Sequence, residues 1–316
     1  MMPPTKSGHD RLMDQLKVIS DKVDKSIIQT LIKNNVGPST SDNEYKAHTV
    51  LKLAYLNYYM GVFLPIAHKY FDKIVFIDAF GGSGIVKIEN SHFTVLGSTL
   101  LAATAKTLNG KSFDLVISID NDKDKADLLK SRVQALNLKN IHIEYGNAND
   151  IIKDIAAKYN LDNNTGAIFF IDPEGMEARL IQFMPLFNSV KAVDLIINAT
   201  WGIQRLHGRI QKNVNEADIK TMQRMVPDYT PGDDPDEKLL YFFEKKLAKP
   251  IGDAVNIHDI GRKKAYSLIL RTNRTKNNSK WTESMKPLSR YIDTLDDKSA
   301  LTFLNQIFGR QEHFDV

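Results

Sequence analysis

The sequence predicts a doubly wound, Rossmann-like α/β fold whose mostly parallel sheet ends in an antiparallel hairpin, with helical extensions at both termini. Near-continuous apolar runs at 73–80, 113–120, 140–145, 166–172 and 192–199 alternate with helical patterns near 96–109, 122–137, 148–160 and 177–188. That alternation marks parallel strands covered on both faces, and right-handed crossovers leave the doubly wound arrangement as the main candidate. Two further runs, 254–260 and 265–272, are separated only by Gly261, Arg262, Lys263 and Lys264, which is a hairpin spacing.

The remaining elements follow in order. Leu12, Leu16, Ile19, Val23, Ile27 and Leu31 recur at helical spacing, and "NNVGPST" ends that helix. A second helical pattern, about 47–70, is rich in aromatics: Tyr45, Tyr55, Tyr58, Tyr59 and Phe63. These read as core or cover for the sheet, with a substrate-facing aromatic as the alternative. Residues 201–250 look helical and polar, interrupted by the loop "VPDYTPGDDPDE", and 281–310 read as two helices. The chain therefore divides into a tail and helix (1–46), an α/β domain (47–275) with a helical insert near 201–250, and a helical extension (276–316).

Composition excludes several chemistries. The 316 residues are 42% apolar, enough for a full core. There is no cysteine, which removes disulfides, thiolate metal sites and cysteine nucleophiles. No two of the eight histidines lie at i, i+4, and no other signal supports a metal site. The first residues lack an apolar signal-peptide region, and no run approaches the roughly 20 apolar residues of a membrane span. A cytoplasmic protein without membrane contact is the expectation. Net charge is +4, but nine Lys/Arg lie between Gly261 and Arg290 against the single acid Glu283. Such a patch suits phosphate contacts, the alternative being a solvated surface.

Candidate functional residues sit where strands end. "IDAFGGSGIV" (77–86) runs a strand into a glycine turn. It fails the spacing of a P-loop and of a nucleophile elbow, and Lys87 stands where a dinucleotide fingerprint needs its third glycine. Gly81, Gly82 and Gly84 permit close approach of backbone to a ligand, and Asp78 can hold an ammonium group. An ammonium at one end and an adenosine at the other describe S-adenosylmethionine (SAM); a turn with no ligand is the alternative. Phe80 and Ser83 belong to the same turn. Asp120, with Asn121 beside it, ends the second strand and suits a ribose diol. Asn147, followed by Ala148, suits an adenine edge, helix capping being the alternative. Asp172, Pro173 and Glu174 lie where the reactive end of such a ligand would be, with Asp172 or Glu174 orienting or deprotonating an acceptor. Asn198, Trp201, Arg205 and Arg209 form a candidate acceptor wall, and 201–212 joins 261–290 as a candidate nucleic-acid surface.

"VFIDAFGGSG", "VLGST", "ISIDND", "YGNAND", "FFIDPEG", "DLIINATWGIQR" and "YSLILRT" occur in an order that resembles the three-Cys-motif partner proteins (TcmP), over about residues 47–290. The resemblance implies a class I SAM-dependent methyltransferase fold and a partner protein bearing three cysteines. It also implies that Asp78 and Gly81–Gly84 face the methionine part of SAM, Asp120 the ribose, Asn147 the adenine, and Asp172 with Pro173 the transferred methyl. "DAFGGSG" and "IDPEG" are also similar to the turn and acidic motif of nucleic-acid amino-methyltransferases, with Glu174 and Gly175 in place of a proline and the stacking tyrosine. The resulting expectation is a SAM-dependent methyltransferase acting on nucleic acid or a nucleic-acid-associated acceptor. A catalytically inactive SAM- or nucleotide-binding partner module of a radical-SAM-like protein and a nicotinamide-dependent oxidoreductase are the rivals.

Overall fold

In the computed structural model, which describes residues 6–23, 27–275 and 279–308, the chain opens with α1 (Gly8–Val23), α2 (Ile27–Lys33), the short strand β1 (Glu44–Tyr45) and the long helix α3 (Thr49–Tyr70). The alternating region then supplies β2 (Lys73–Asp78), β3 (Ile85–Ile88), β4 (Thr94–Leu96), α4 (Ser98–Ala103), β5 (Leu115–Asp120) and α5 (Lys123–Ala135). It continues as β6 (Ile141–Tyr145), α6 (Ala148–Lys158), β7 (Thr165–Ile171), α7 (Met184–Ser189) and β8 (Ala192–Thr200). The insert is α8 (Trp201–Lys212), α9 (Glu216–Met225) and α10 (Pro235–Tyr241), before the hairpin β9 (Ile251–His258) and β10 (Lys264–Thr272) and the closing helices α11 (Lys286–Ile292) and α12 (Asp297–Phe308).

Seven strands form one sheet in the order β6-β5-β2-β7-β8-β10-β9. All neighbours are parallel except the two of β10, which runs antiparallel to both β8 and β9. A plain dinucleotide fold ends without such a hairpin; a sheet closed by an inserted antiparallel strand is the Rossmann-like class I methyltransferase fold. The hairpin turns through Gly261 and Arg262, both at positive φ (70° and 60°).

The apolar runs are continuous because both faces are buried. Ile74 and Phe76 of β2, with Ile168 and Phe170 of β7, pack under α1, α3, α4, α5 and α11. Val75 and Ile77, with Ala167, Phe169 and Ile171, pack under α6 to α10. Helix α3 is apolar around its whole circumference, as expected of a helix sealed inside a core. Its length and composition would suffice to cross a membrane, contrary to the sequence expectation, but 72% of its most apolar window is buried in the fold.

Some boundaries differ from the sequence reading. The helix expected over 96–109 stops at Ala103. The segment after the glycine turn, to which the sequence reading gave no element, is an antiparallel β3–β4 hairpin, and β1 joins it in parallel through Glu44↔Lys87 and Tyr45↔Ile88. Tyr45 thus belongs to a strand, while Tyr55, Tyr59 and Phe63 are core residues of α3.

Candidate active site

The parallel strands deliver Asp78, Asp120, Asp172 and Asn198 toward one edge of the sheet, where ligands of open α/β sheets sit. Three cavities run along that edge. The largest, about 760 Å³, is walled by Asn43, Tyr45, His48, Lys52, residues 172–176, Asn198, Arg205 and Tyr266. A narrow one of about 60 Å³ lies against residues 80–86, Gly97 and Ser98, and shares Asn43, Tyr45, Thr49, Lys52 and Asp172 with the first. The third, about 150 Å³, is lined by Phe80, Asn121, Asn147, Ala148 and Asn149, with Phe80 common to it and the narrow cavity.

The glycine turn is built tightly. A Cβ on Gly81 would fall 1.8 Å from Ser118 Oγ and 2.8 Å from Thr99 Oγ1, whereas Gly82, at φ +61°, has nothing within 4 Å of that position. The Gly82 amide donates to Asp120 Oδ2 at 2.7 Å, and the Asp122 amide donates to Asp120 Oδ1 at 2.8 Å. Asp120 therefore fixes the turn, and Asp122 is the residue that caps α5.

Asp78 differs from the expectation. It is fully buried, and its Oδ2 accepts from Ser98 Oγ at 2.6 Å and Thr99 Oγ1 at 2.8 Å. Its Oδ1 accepts from the Phe80 amide at 3.3 Å. The carboxyl has no face left for an ammonium group. Burial pushes its pKa up to about 6, against the lowering effect of the two hydroxyls. Ser83 is likewise committed inward: it is buried, and its hydroxyl donates to Asp42 Oδ1 at 2.5 Å. Gly84, at φ +87°, packs against Leu100 and Leu129.

Asn147 caps α6, its Oδ1 accepting from the Asn149 amide at 2.9 Å, and it lines the third cavity in the same position. Capping and a place beside a ligand are thus compatible here.

Asp172 lies on the wall shared by the large and the narrow cavity. Its Oδ2 lies 2.5 Å from Lys52 Nζ, and its Oδ1 accepts from Asn198 Nδ2 at 2.8 Å. Lys52 also sits over the Tyr266 ring, 5.7 Å from its centroid. Glu174 turns away from this group to accept from Asn43 Nδ2 at 2.8 Å and Tyr45 Oη at 2.9 Å. Burial, followed by Glu174 and Asp172, pushes the Tyr45 phenol well up, and burial lowers the pKa of His48 despite Asp297 at 3.0 Å.

Asn198 and Arg205 line the large cavity. Arg209 does not: it makes a two-pronged pair with Asp218 of α9, at 2.5 and 2.6 Å. The Trp201 side chain lies outside the described residues. The basic stretch is no single patch either. Lys264 opens β10 and Arg271 nearly closes it, roughly 23 Å apart at strand rise. Arg271 is half-buried over Phe243, and Lys286 pairs with Glu283 at 2.7 Å. Lys276 lies outside the described residues. The large cavity itself carries Glu44, Glu89, Asp172 and Glu174 against Lys46, Lys52 and Arg205, so its wall has no cationic excess. The expectation of nucleic-acid contact through 261–290 and 201–212 thus gains no support from the placement of these residues.

Sequence reasoning missed Asn43, Lys52 and Tyr266, and gave Tyr45 a substrate-facing place only as the alternative to core. A signal existed for Lys52, a cation near the start of an apolar helix whose other lysine, Lys69, lies in its last turn. None existed for Asn43, which reaches the site through the segment before α3.

No family model matches the chain, and no curated protein does. Solved structures similar to it include an O-methyltransferase from Bacillus cereus in complex with SAH, S-adenosylhomocysteine (16% identity, 83% of this chain and 100% of that one, TM-score 0.39). Others are protein LPL1258 from Legionella pneumophila (10%, 81% and 93%, TM-score 0.45) and the O-methyltransferase TomG from Streptomyces achromogenes (14%, 81% and 89%, TM-score 0.38). Likenesses of that size carry no argument here; the fold stands on its own strand order. The resemblance to the three-Cys-motif partner proteins is not upheld: no family model matches, and with no cysteine the chain has no three-Cys motif. The partner protein it implied falls with it.

Proposed function

We propose that the chain binds SAM along the two smaller cavities and methylates an acceptor held in the largest. The observation that carries this reading is Asp172, which lies on the wall common to the narrow cavity at the glycine turn and the 760 Å³ cavity beyond it. The residues present fit such a ligand. Gly82 leaves open space where any other residue would place a Cβ. Phe80, Asn121 and Asn147, which line the third cavity, would flank the adenine. Bound SAM supplies a methyl group already activated on a sulfonium. The chain's part is then to align an acceptor beside it and to exclude water.

Asp172 serves alignment. Lys52 and Asn198 hold its two oxygens from different elements, so its direction is fixed before any ligand arrives. Asp78 acts behind the turn, clamping the start of α4 to it through Ser98 and Thr99.

Calorimetric titration with SAM, SAH and NAD tests the reading. SAM and SAH should bind and NAD should not; NAD binding in place of SAM overturns it. Release of SAH during incubation with a desalted cell extract separates turnover from binding alone.

A further inference from the structure

Three residues that line the large cavity carry a buried polar atom with no hydrogen-bond partner among the described residues: His48 Nδ1, which has the Asp297 carboxylate 3.0 Å away, Asn198 Oδ1 and the Tyr266 hydroxyl. The last two have no charged group facing them in this way. Asn198 is only 6% exposed. Its amide nitrogen is already committed to Asp172, so what remains is an acceptor that needs a donor. The tyrosine hydroxyl can give or receive. In the β8–β10 register Asn198 lies opposite Leu268, which puts Tyr266 two residues along on the same face of the sheet. Such diagonal neighbours are roughly 7–8 Å apart, within reach of one long side chain and one ligand group.

On the reading that this cavity holds the methyl acceptor, we propose that the acceptor molecule is anchored there by a neutral carboxamide-type group, which serves recognition and is not itself methylated. Its N–H donates to Asn198 Oδ1 and its carbonyl accepts from the Tyr266 hydroxyl. A carboxylate or phosphate at that position would set lone pairs against Asn198 Oδ1 with Asp172 directly behind it. Of the cations on this wall, Lys52 is already paired with Asp172 and Lys46 with Asp259. An aliphatic group would leave both atoms unsatisfied, which is costly in a buried site. A group with a donor beside an acceptor satisfies both. Tyr266 is then a specificity residue, and its hydroxyl is kept for the ligand rather than for the fold.

The Tyr266→Phe variant separates these roles. With no partner to lose, its thermal midpoint should equal or exceed that of the natural protein. Benzamide serves as the probe, titrated by ligand-observed NMR with and without saturating SAH, and benzoate as its anionic counterpart. Benzamide should bind at least threefold more tightly than benzoate, and Tyr266→Phe should weaken benzamide at least threefold. A lowered thermal midpoint overturns the proposal. So does equal binding of benzoate, an unchanged benzamide affinity in the variant, or no benzamide response at tens of millimolar. Calorimetry with SAH reports separately on the cofactor: if SAH fails to bind, the functional reading fails, while the benzamide arms still decide this one.

Discussion

Arg132 and Asp42 form a two-pronged ion pair from which water is wholly excluded, with N···O distances of 2.5 and 2.7 Å and no exposed side-chain surface on either partner. The guanidinium has five N–H groups, and all five are used. Beyond the two to Asp42, they go to the carbonyls of Val36 (3.0 Å), Gly37 (2.7 Å) and Ser83 (3.0 Å). One side chain on α5 thereby fastens the segment before β1 to the glycine turn, and so sets Asn43 and Tyr45 over the cavities.

Removing one partner strands the other. Asp42→Asn should cost about 3–5 kcal/mol, the range for breaking a buried pair. Arg132→Lys should not rescue the site, because an ammonium has three donors in the wrong geometry for five acceptors. Urea unfolding measures both. An Asp42→Asn protein with an unshifted midpoint would show that the pair contributes nothing.

Two buried carboxyls give opposite pH dependences. Burial raises Asp78 to about 6, above the ordinary unfolded value near 3.9. The folded state therefore holds the proton more tightly, and the stability from this group is full below about pH 4 and lost as pH rises through 6. Between pH 5 and 7.5 that loss amounts to about 1 kcal/mol. Asp42 behaves in reverse: burial would raise its pKa, but the hydrogen bonds from Arg132, Ser83 and the Ser39 amide outweigh it and hold it low. Its contribution is present above about pH 4 and disappears in acid. Asp78→Asn should remove the decline between pH 5 and 7.5 in urea titrations and leave the acid limb intact. If the decline persists in that variant, another group causes it.

The sheet was legible in the sequence because burial on both faces makes strands continuously apolar, and the hairpin because only four residues separate the apolar runs 254–260 and 265–272. Asp120, Asn147 and Asp172 were legible as strand-end polar groups. What escaped depends on contacts between distant parts of the chain. Arg132 meets Asp42 across 90 residues, and nothing local in either stretch announces it. Tyr45 was grouped with the aromatics of α3 because β1 is two residues long and exists only by pairing with β3. Asp78 read as a ligand group because the hydroxyls that enclose it come from Ser98 and Thr99, 20 and 21 residues later.

The glycine turn offers a contrast between neighbours. Gly81→Ala forces a Cβ into Ser118 and Thr99, so it should destabilise the fold and disturb Asp78 together. Gly82→Ala meets no atom and carries only the strain of its positive φ, about 1–2 kcal/mol. The proposed function then requires Gly82→Ala to weaken SAM at least tenfold, because the new methyl enters ligand space. Parallel unfolding and calorimetric titrations resolve the two effects. Unchanged SAM affinity in a folded Gly82→Ala protein would place the cofactor elsewhere.

Lys52 and Asp172 bear on catalysis more directly. The pair spans α3 and the end of β7, is largely buried, and borders both the narrow cavity and the large one. If Asp172 aligns the acceptor, Asp172→Asn keeps the shape and the Asn198 contact but removes the charge that Lys52 holds. SAH release in extract should then fall at least a hundredfold, while SAM affinity changes by less than tenfold. Lys52→Met frees the carboxylate from its fixed direction and leaves a charge buried without its partner, so it should lower both turnover and stability. An Asp172→Asn protein that binds SAM and still turns over at the natural rate removes Asp172 from the mechanism and leaves Lys52 a structural role alone.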